Sequence, residues 1–367
     1  MKDLKHLIYF ENLLQDAQNE LVTKAVEDGQ IALGYNCYYI PEVLLNLEGC
    51  FSSRLRAPNC TSSDIANYYM TNRTCPYARS ILERAIEGGY NYLSCLFGAE
   101  SCATMERMEE HFFLINPVKH DGFFVTQIDP PMKGDQTNLD YYKARLKLKV
   151  VDEMKNRLGV DVSDEAMRKA IEQHNELSRI ITEIGNFRKL DNPPITGYEY
   201  AVLVLVSYTC PKRLILPYLH ETLEEIKTRE PEDREYRARI AVVGSEVDDS
   251  GFIKLIEETG AYVCADRFCF GSLPGREEIA VQPGQHPLDA LAEHYMKINE
   301  CPRSMGTENI IARKQYLYDI AKEYKADGII LQNMKFCEYW GYERAIAAKW
   351  LAEGLNVPSA IPTCQIE

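Results

Sequence analysis

The sequence predicts an α/β protein: two doubly wound parallel-sheet units joined by a helical middle segment and preceded by an N-terminal helix. Three observations predict it. Short apolar runs alternate with segments of helical periodicity in the first third, the alternation returns in the last third, and the stretch between them is almost purely helical. The expected boundaries are residues 1–30 for the N-terminal helix, 31–135 for the first α/β unit, 136–236 for the helical segment and 237–367 for the second α/β unit.

Each element has a local reason. From Asp3 to about Gly29 the apolar positions keep helical spacing up to a glycine stop. IALGYNCYYIPEVL reads as a short strand, a loop and a helix starting near Pro41, and SRLRAP as a second strand. NRTCPYARSILERAIEGG predicts a helix with Thr74 as N-cap, Pro76 in its first turn and Gly88-Gly89 at its end. NYLSCLFG then reads as a strand, SCATMERMEEHF as a helix and GFFVTQIDPP as a strand. Between about Asn138 and Leu190 the pattern is helical, with Ser163 as the N-cap of its last and longest helix. Asp191-Asn192-Pro193-Pro194 breaks the run, and two helices follow, roughly Gly197–Ser207 and Lys212–Arg229. KTREPEDREYRAR, the most charged stretch, reads as a solvated connector. RIAVVGSEVDDSGFIKLIEETGAYVCADRF predicts strand, turn, helix and strand. Helices near Pro287–Ile298 and Asn309–Tyr324, the strand GIILQN, the helix YERAIAAKWLAEG and the strand SAIP complete the chain. In such sheets ligands sit at the carboxyl ends of the strands.

Composition narrows the function. A chain of 367 residues, 46% hydrophobic and 26% charged, has ample apolar surface for two or three globular cores and is neither disordered nor a disulfide-stapled miniprotein. The 41 basic against 55 acidic residues leave a net charge of −14, which argues against a general grip on nucleic acid or an anionic membrane. No run approaches the roughly 18 apolar residues that a membrane helix needs. The N-terminal stripe carries acids and lacks a small-residue cleavage site, so it reads as an amphipathic helix rather than a signal peptide, and the expected compartment is the cytoplasm. There is no dinucleotide glycine fingerprint, P-loop, H-E-x-x-H, G-x-S-x-G or C-x-x-C, and the seven histidines are scattered, His111 as a helix-surface residue. What stands out is 12 cysteines in a compartment that keeps thiols reduced.

Three of them share a context. Cys75, Cys102 and Cys337 each fall at the start of a predicted helix, and the latter two follow predicted strands. The free N–H groups and positive dipole end at a helix N-terminus favour a thiolate. From two sheets, the three could converge in a cleft between the units. Three soft thiolates suit an iron–sulfur cluster better than a hard cation, and three rather than four leave one iron open to water or substrate.

At NRTCPYARSILERA, GAESCATMERM and LQNMKFCEYWGYE the sequence resembles the 2-hydroxyacyl-CoA dehydratase / benzoyl-CoA reductase family. GYNCYYIPEVL, GSEVDDSGFIKLIEETGAYVCADRFCFGS and DALAEHYMKINECP extend the likeness over nearly the whole chain. The resemblance implies two flavodoxin-like domains and one [4Fe-4S] cluster held by Cys75, Cys102 and Cys337. It implies oxygen sensitivity, a homologous second subunit, an ATP-hydrolysing iron–sulfur activator that injects one electron, and an acyl-CoA substrate. In dehydratases of this kind the electron makes a ketyl radical anion that expels the 2-hydroxyl group as a 2-enoyl-CoA forms, and is then recovered. In the reductases it is consumed. Asn36, Cys37 and Tyr38 correspond to the family's loop near the cluster and are candidate substrate contacts, although a packed strand-end loop reads equally well. A branch of the family carries a double-cubane [8Fe-9S] cluster on six cysteines of one subunit, which acts as a homodimer, and Cys37, Cys269 and Cys301 would complete such a set here. A cluster-free scaffold of the same fold is the third alternative. Cys50, Cys60, Cys95, Cys210, Cys264 and Cys364 read as structural thiols, and Arg54 and Arg56 as basic side chains of a surface strand, with contact to a CoA phosphate as the alternative. No acid or base for an elimination step stands out. Similar sequences usually continue into a further helix where this one ends at Glu367.

Overall fold

The computed structural model describes residues 2–231, 235–270, 277–297, 301–354 and 358–364. Ile298, part of the charged connector (232–234), and Glu367 lie outside the described residues. The predicted N-terminal helix is two helices, α1 (Leu7–Leu13) and α2 (Glu20–Glu27). Asn19 causes the break: its backbone is extended and its side-chain oxygen accepts from the Leu21 and Val22 N–H groups, which starts a new helix.

The first sheet contains β1 (Ile31–Tyr35), β2 (Cys50–Arg54), β3 (Cys95–Ala99) and β4 (Phe124–Ile128), all parallel in the order β2-β1-β3-β4. The second strand begins three residues before the expected SRLRAP, because Cys50 through Arg54 pair in register with Ile31 through Tyr35. The helix expected near Pro41 is only a 3₁₀ turn, Glu42–Asn46. A short α3 (Ala66–Tyr69) precedes α4 (Pro76–Ile86), and α5 (Ala103–Ile115) joins β3 to β4. Thr74 does not cap α4. Its hydroxyl donates to the Thr71 carbonyl, and Cys75 occupies the N-cap, its carbonyl taking the Arg79 N–H.

The helical middle comprises α6 (Gln136–Leu146), a π-helical turn at Lys147–Val151, α7 (Asp152–Leu158), α8 (Asp164–Asn186), α9 (Gly197–Thr209) and α10 (Lys212–Thr228). Ser163 caps α8 by accepting the Ala166 N–H, and Thr196 with Glu199 forms a capping box on α9. Nearly every side chain of α9 is buried, which makes it the hydrophobic axle of the molecule.

The second sheet repeats the first. β5 (Ala238–Gly244), β6 (Ala261–Phe268) and β7 (Gly328–Met334) lie parallel in the order β6-β5-β7, and β8 (Ser359–Ala360) and β9 (Thr363–Cys364) both pair with β7. Its helices are α11 (Gly251–Glu258), α12 (Pro287–Lys297), α13 (Thr307–Glu323) and α14 (Glu338–Gly354). Counted within each unit, both sheets run 2-1-3-4, the flavodoxin-like order in which strand direction of travel reverses between the first and third strands. One apolar core joins the first sheet to the helical middle and includes α12; a second lies around Tyr262, Leu331 and Trp340. No helix among the described residues is long and apolar enough to cross a membrane.

Candidate functional site

Both reversal points open on one cavity of about 120 Å³. Its walls come from the carboxyl ends of strands: Asn36, Cys37 and Tyr38 after β1, Arg54 at the end of β2, Ser101 and Cys102 after β3, Ser245 and Glu246 after β5, Cys269 after β6, and Cys337 after β7. Cys75 and Cys301 complete a ring of six cysteines. All eight residues that the sequence nominated line this cavity. Cys50, Cys95, Cys210 and Cys264 are buried in the packing and Cys60 is half-buried, none of them on the cavity wall. The side chain of Cys364 lies outside the described residues.

Local backbone aims the thiols. Cys75 and Cys102 are the N-caps of α4 and α5, and the Cys337 carbonyl takes the Gly341 N–H that begins α14. The backbone N–H groups of Tyr77 and Ala78 favour charge on the Cys75 sulfur, that of Met105 on Cys102 and that of Trp340 on Cys337, although neither the Cys75 nor the Cys102 side chain makes a capping hydrogen bond. Phe336, at φ 66°, holds a left-handed conformation that ordinary side chains avoid, in the tight turn between β7 and Cys337. Cys269 accepts the indole N–H of Trp340 at 3.0 Å. The Cys301 turn is held by Arg313, whose guanidinium donates to the Ser304 carbonyl at 2.6 Å and pairs with Glu343 at 2.8 Å.

The thiols are not the activated thiolates expected from helix N-termini. Burial pushes Cys75 and Cys301 up to about 11 and Cys337 to about 12, with Cys102 and Cys269 well above the ordinary thiol value and Cys37 also raised. Neighbouring cavity thiols add to the effect at Cys102, Cys269 and Cys337, and the backbone N–H groups at Cys102 and Cys337 and the Trp340 indole at Cys269 offset only part of it. Desolvation outweighs the dipole because each half-buried sulfur sits among apolar walls and other thiols while only one or two N–H groups favour its charge. Such thiols ionise on taking a cation, as metal ligands do.

Among the described residues no three His, Cys, Asp or Glu side chains are arranged to hold one metal ion. The thiols instead surround a space, which suits a group with several metal atoms. Three further wall residues have unspent polar atoms: Asn36 Oδ1, Glu246 Oε2, and Nε with Nη1 of Arg54. Asn36 is held from behind by Glu109, which accepts from its amide nitrogen, from Gln127 Nε2 at 2.7 Å and from the Ala99 N–H at 3.2 Å.

The reading of Arg54 and Arg56 as surface residues is overturned. Both are buried; Arg56 donates to the carbonyls of Asp248 at 2.8 Å and Leu14 at 3.2 Å, while Arg54 faces the thiols. Glu246 and Trp340 also escaped sequence reasoning. The signal for Glu246 was its place directly after a strand, in GSEVDD, where Asp248-Asp249 drew attention to the helix start instead.

Comparison with known proteins matches residues 37–367 to the family described as 2-hydroxyglutaryl-CoA dehydratase, D-component. The chain is 25% identical over 335 residues to the (R)-phenyllactyl-CoA dehydratase beta subunit of Clostridium sporogenes, covering 91% of this chain and 86% of that one. It is 22% identical over 341 residues to the putative dehydratase subunit YjiM of Escherichia coli, covering 90% and 85%. To the beta subunit of (R)-2-hydroxyglutaryl-CoA dehydratase from Acidaminococcus fermentans it is 21% identical over 321 residues, covering 87% and 83%.

Proposed function

Because the chain belongs to the 2-hydroxyglutaryl-CoA dehydratase D-component family, we propose that it is the iron–sulfur subunit of an ATP-activated, radical-type 2-hydroxyacyl-CoA dehydratase. The observation that carries the reading is the cavity itself, where thiols at three helix N-termini meet at the carboxyl ends of both sheets. Cys75, Cys102 and Cys337 would hold a [4Fe-4S] cluster. When bound, the cluster supplies one low-potential electron, received from a separate ATP-hydrolysing activator, that lets an acyl-CoA thioester expel its 2-hydroxyl group to give a 2-enoyl-CoA.

The chain's own residues bind, orient and exclude water. The N–H groups of Tyr77, Ala78, Met105 and Trp340 favour charge on the three sulfurs. Tyr77, Phe336 and Trp340 make the wall largely apolar, which keeps the site dry. Asn36, tied down by Glu109, offers Oδ1 as an acceptor to a hydroxyl or amide donor of the substrate, beside Cys37 and Tyr38. A homologous second subunit completes the enzyme, and a cytoplasmic setting keeps the thiols reduced.

A second reading rests on a specific observation: Cys37, Cys269 and Cys301 line the same cavity. Six thiols would hold a double-cubane [8Fe-9S] cluster, and the protein would then be a reductase subunit. Iron and acid-labile sulfide analysis of anaerobically purified protein separates the readings. About four irons per chain, lost in Cys75→Ser, Cys102→Ser and Cys337→Ser but kept in Cys269→Ser and Cys301→Ser, supports the dehydratase cluster. About eight irons, lost in all of these variants, supports the double cubane. An iron-free chain leaves only a scaffold of this fold. Turnover with partner and activator then distinguishes loss of water from reduction.

A further inference from the structure

We infer that Arg54 sets the reduction potential of the group the cavity holds, by placing a fixed positive charge and two unspent N–H donors beside the thiols. The inference rests on the cluster reading above. Arg54 ends β2, is 2% exposed and lines the cavity, where it is the one arginine or lysine among the described wall residues. One of its nitrogens, Nη2, donates to the Cys269 carbonyl at 2.6 Å and faces the Glu246 carboxylate at 3.5 Å. The other two, Nε and Nη1, have no acceptor among the described residues. The rings of Phe270, 4.2 Å from the guanidinium carbon, and Tyr208, at 5.4 Å, confine its position.

A structural arginine spends most of its donors: Arg313 gives them to both oxygens of Glu343 and the Ser304 carbonyl, and Arg188 and Arg229 each leave only Nε without an acceptor among the described residues. Arg54 leaves two nitrogens without a partner beside a ring of thiols, an arrangement that is costly unless a cluster sulfur or another acceptor takes up their N–H groups. One-electron reduction adds negative charge to a cluster. A buried cation and N–H donors at its edge stabilise that charge and raise the potential. Glu246, which lines the same wall with Oε2 unspent and whose carboxyl burial raises to about 7, pulls the other way once ionised. The pair therefore brackets the potential from both sides.

The test uses anaerobically purified full-length protein, its iron content, and redox titration followed by electron paramagnetic resonance. Arg54→Gln, which keeps a donor but loses the charge, is expected to shift the midpoint to more negative values. Arg54→Lys, which keeps the charge, should retain most of the native value, and Glu246→Gln should shift it positive. An unmoved midpoint in fully loaded Arg54→Gln overturns the inference and leaves the cluster reading intact. If Arg54→Gln fails to fold or load, Glu246→Gln titrated at about pH 8.5, where the native carboxylate is ionised, decides: a positive shift supports the inference, and an unmoved or negative midpoint overturns it. Iron-free native protein refutes the cluster reading and this inference together.

Discussion

Replacing Glu109 by Gln isolates the energetics of the carboxylate behind the Asn36 loop. Glu109 is fully buried, and its three donors, from Asn36, Gln127 and Ala99, are all neutral. Burial pushes its carboxyl from 4.5 up to about 7, against the three hydrogen bonds, which favour the charged form. Between those values the folded chain keeps a proton that the unfolded chain has released, so stability falls as pH rises through this window. At 1.36 kcal/mol per pH unit the full effect is about 3 kcal/mol, of which about 2–3 kcal/mol falls between pH 5 and pH 8. Glu109→Gln removes the titration. Gln127 can turn its amide to present oxygen to the new NH₂ group, so the hydrogen bonds rebuild. Urea unfolding of both proteins at pH 5 and pH 8 reads the effect as a difference, in which all shared titrations cancel. The variant should gain about 2–3 kcal/mol on the native protein between pH 5 and pH 8. A gap that is the same at both pH values refutes the reasoning.

Two glycines should respond oppositely to alanine. A Cβ at Gly98 would overlap the Glu109 carboxylate, so Gly98→Ala should cost about 1–3 kcal/mol in urea unfolding, whereas Gly341, in α14 with open space around its missing Cβ, should gain about 0.5–1 kcal/mol. Glu343→Ala strands the buried guanidinium of Arg313 and should cost about 3–5 kcal/mol in the same assay. Because Arg313 also holds the Cys301–Ser304 turn, thiol labelling mapped by mass spectrometry should quicken at Cys301 in that variant and stay unchanged at Cys95.

Where the sequence was misread, a local signal competed with a distant one. Asn19 sits in a run whose apolar spacing continues across it, so the break between α1 and α2 hid inside one helical stripe. Thr74 is a better capping residue than cysteine, yet the chain enters α4 one residue later, because backbone geometry and not side-chain preference decided the cap. Arg54 looked like a surface residue because charge in a short strand usually faces water. Its burial comes from Tyr208 on α9 and Phe270 after β6, more than 150 residues away.

By itself the sequence determined the two alternating units, the helical middle, the Ser163 cap and the placing of Cys75, Cys102 and Cys337 at helix starts. These follow from forces that act within a turn of helix or along one strand. Only the tertiary structure decided that Cys37, Cys269 and Cys301 share their cavity, that Arg54 and Glu246 pair on its wall, and that burial shifts the thiols there upward. Which carboxyl ends face one another depends on how two sheets pack across a common helical core, and desolvation depends on every atom that packing brings near.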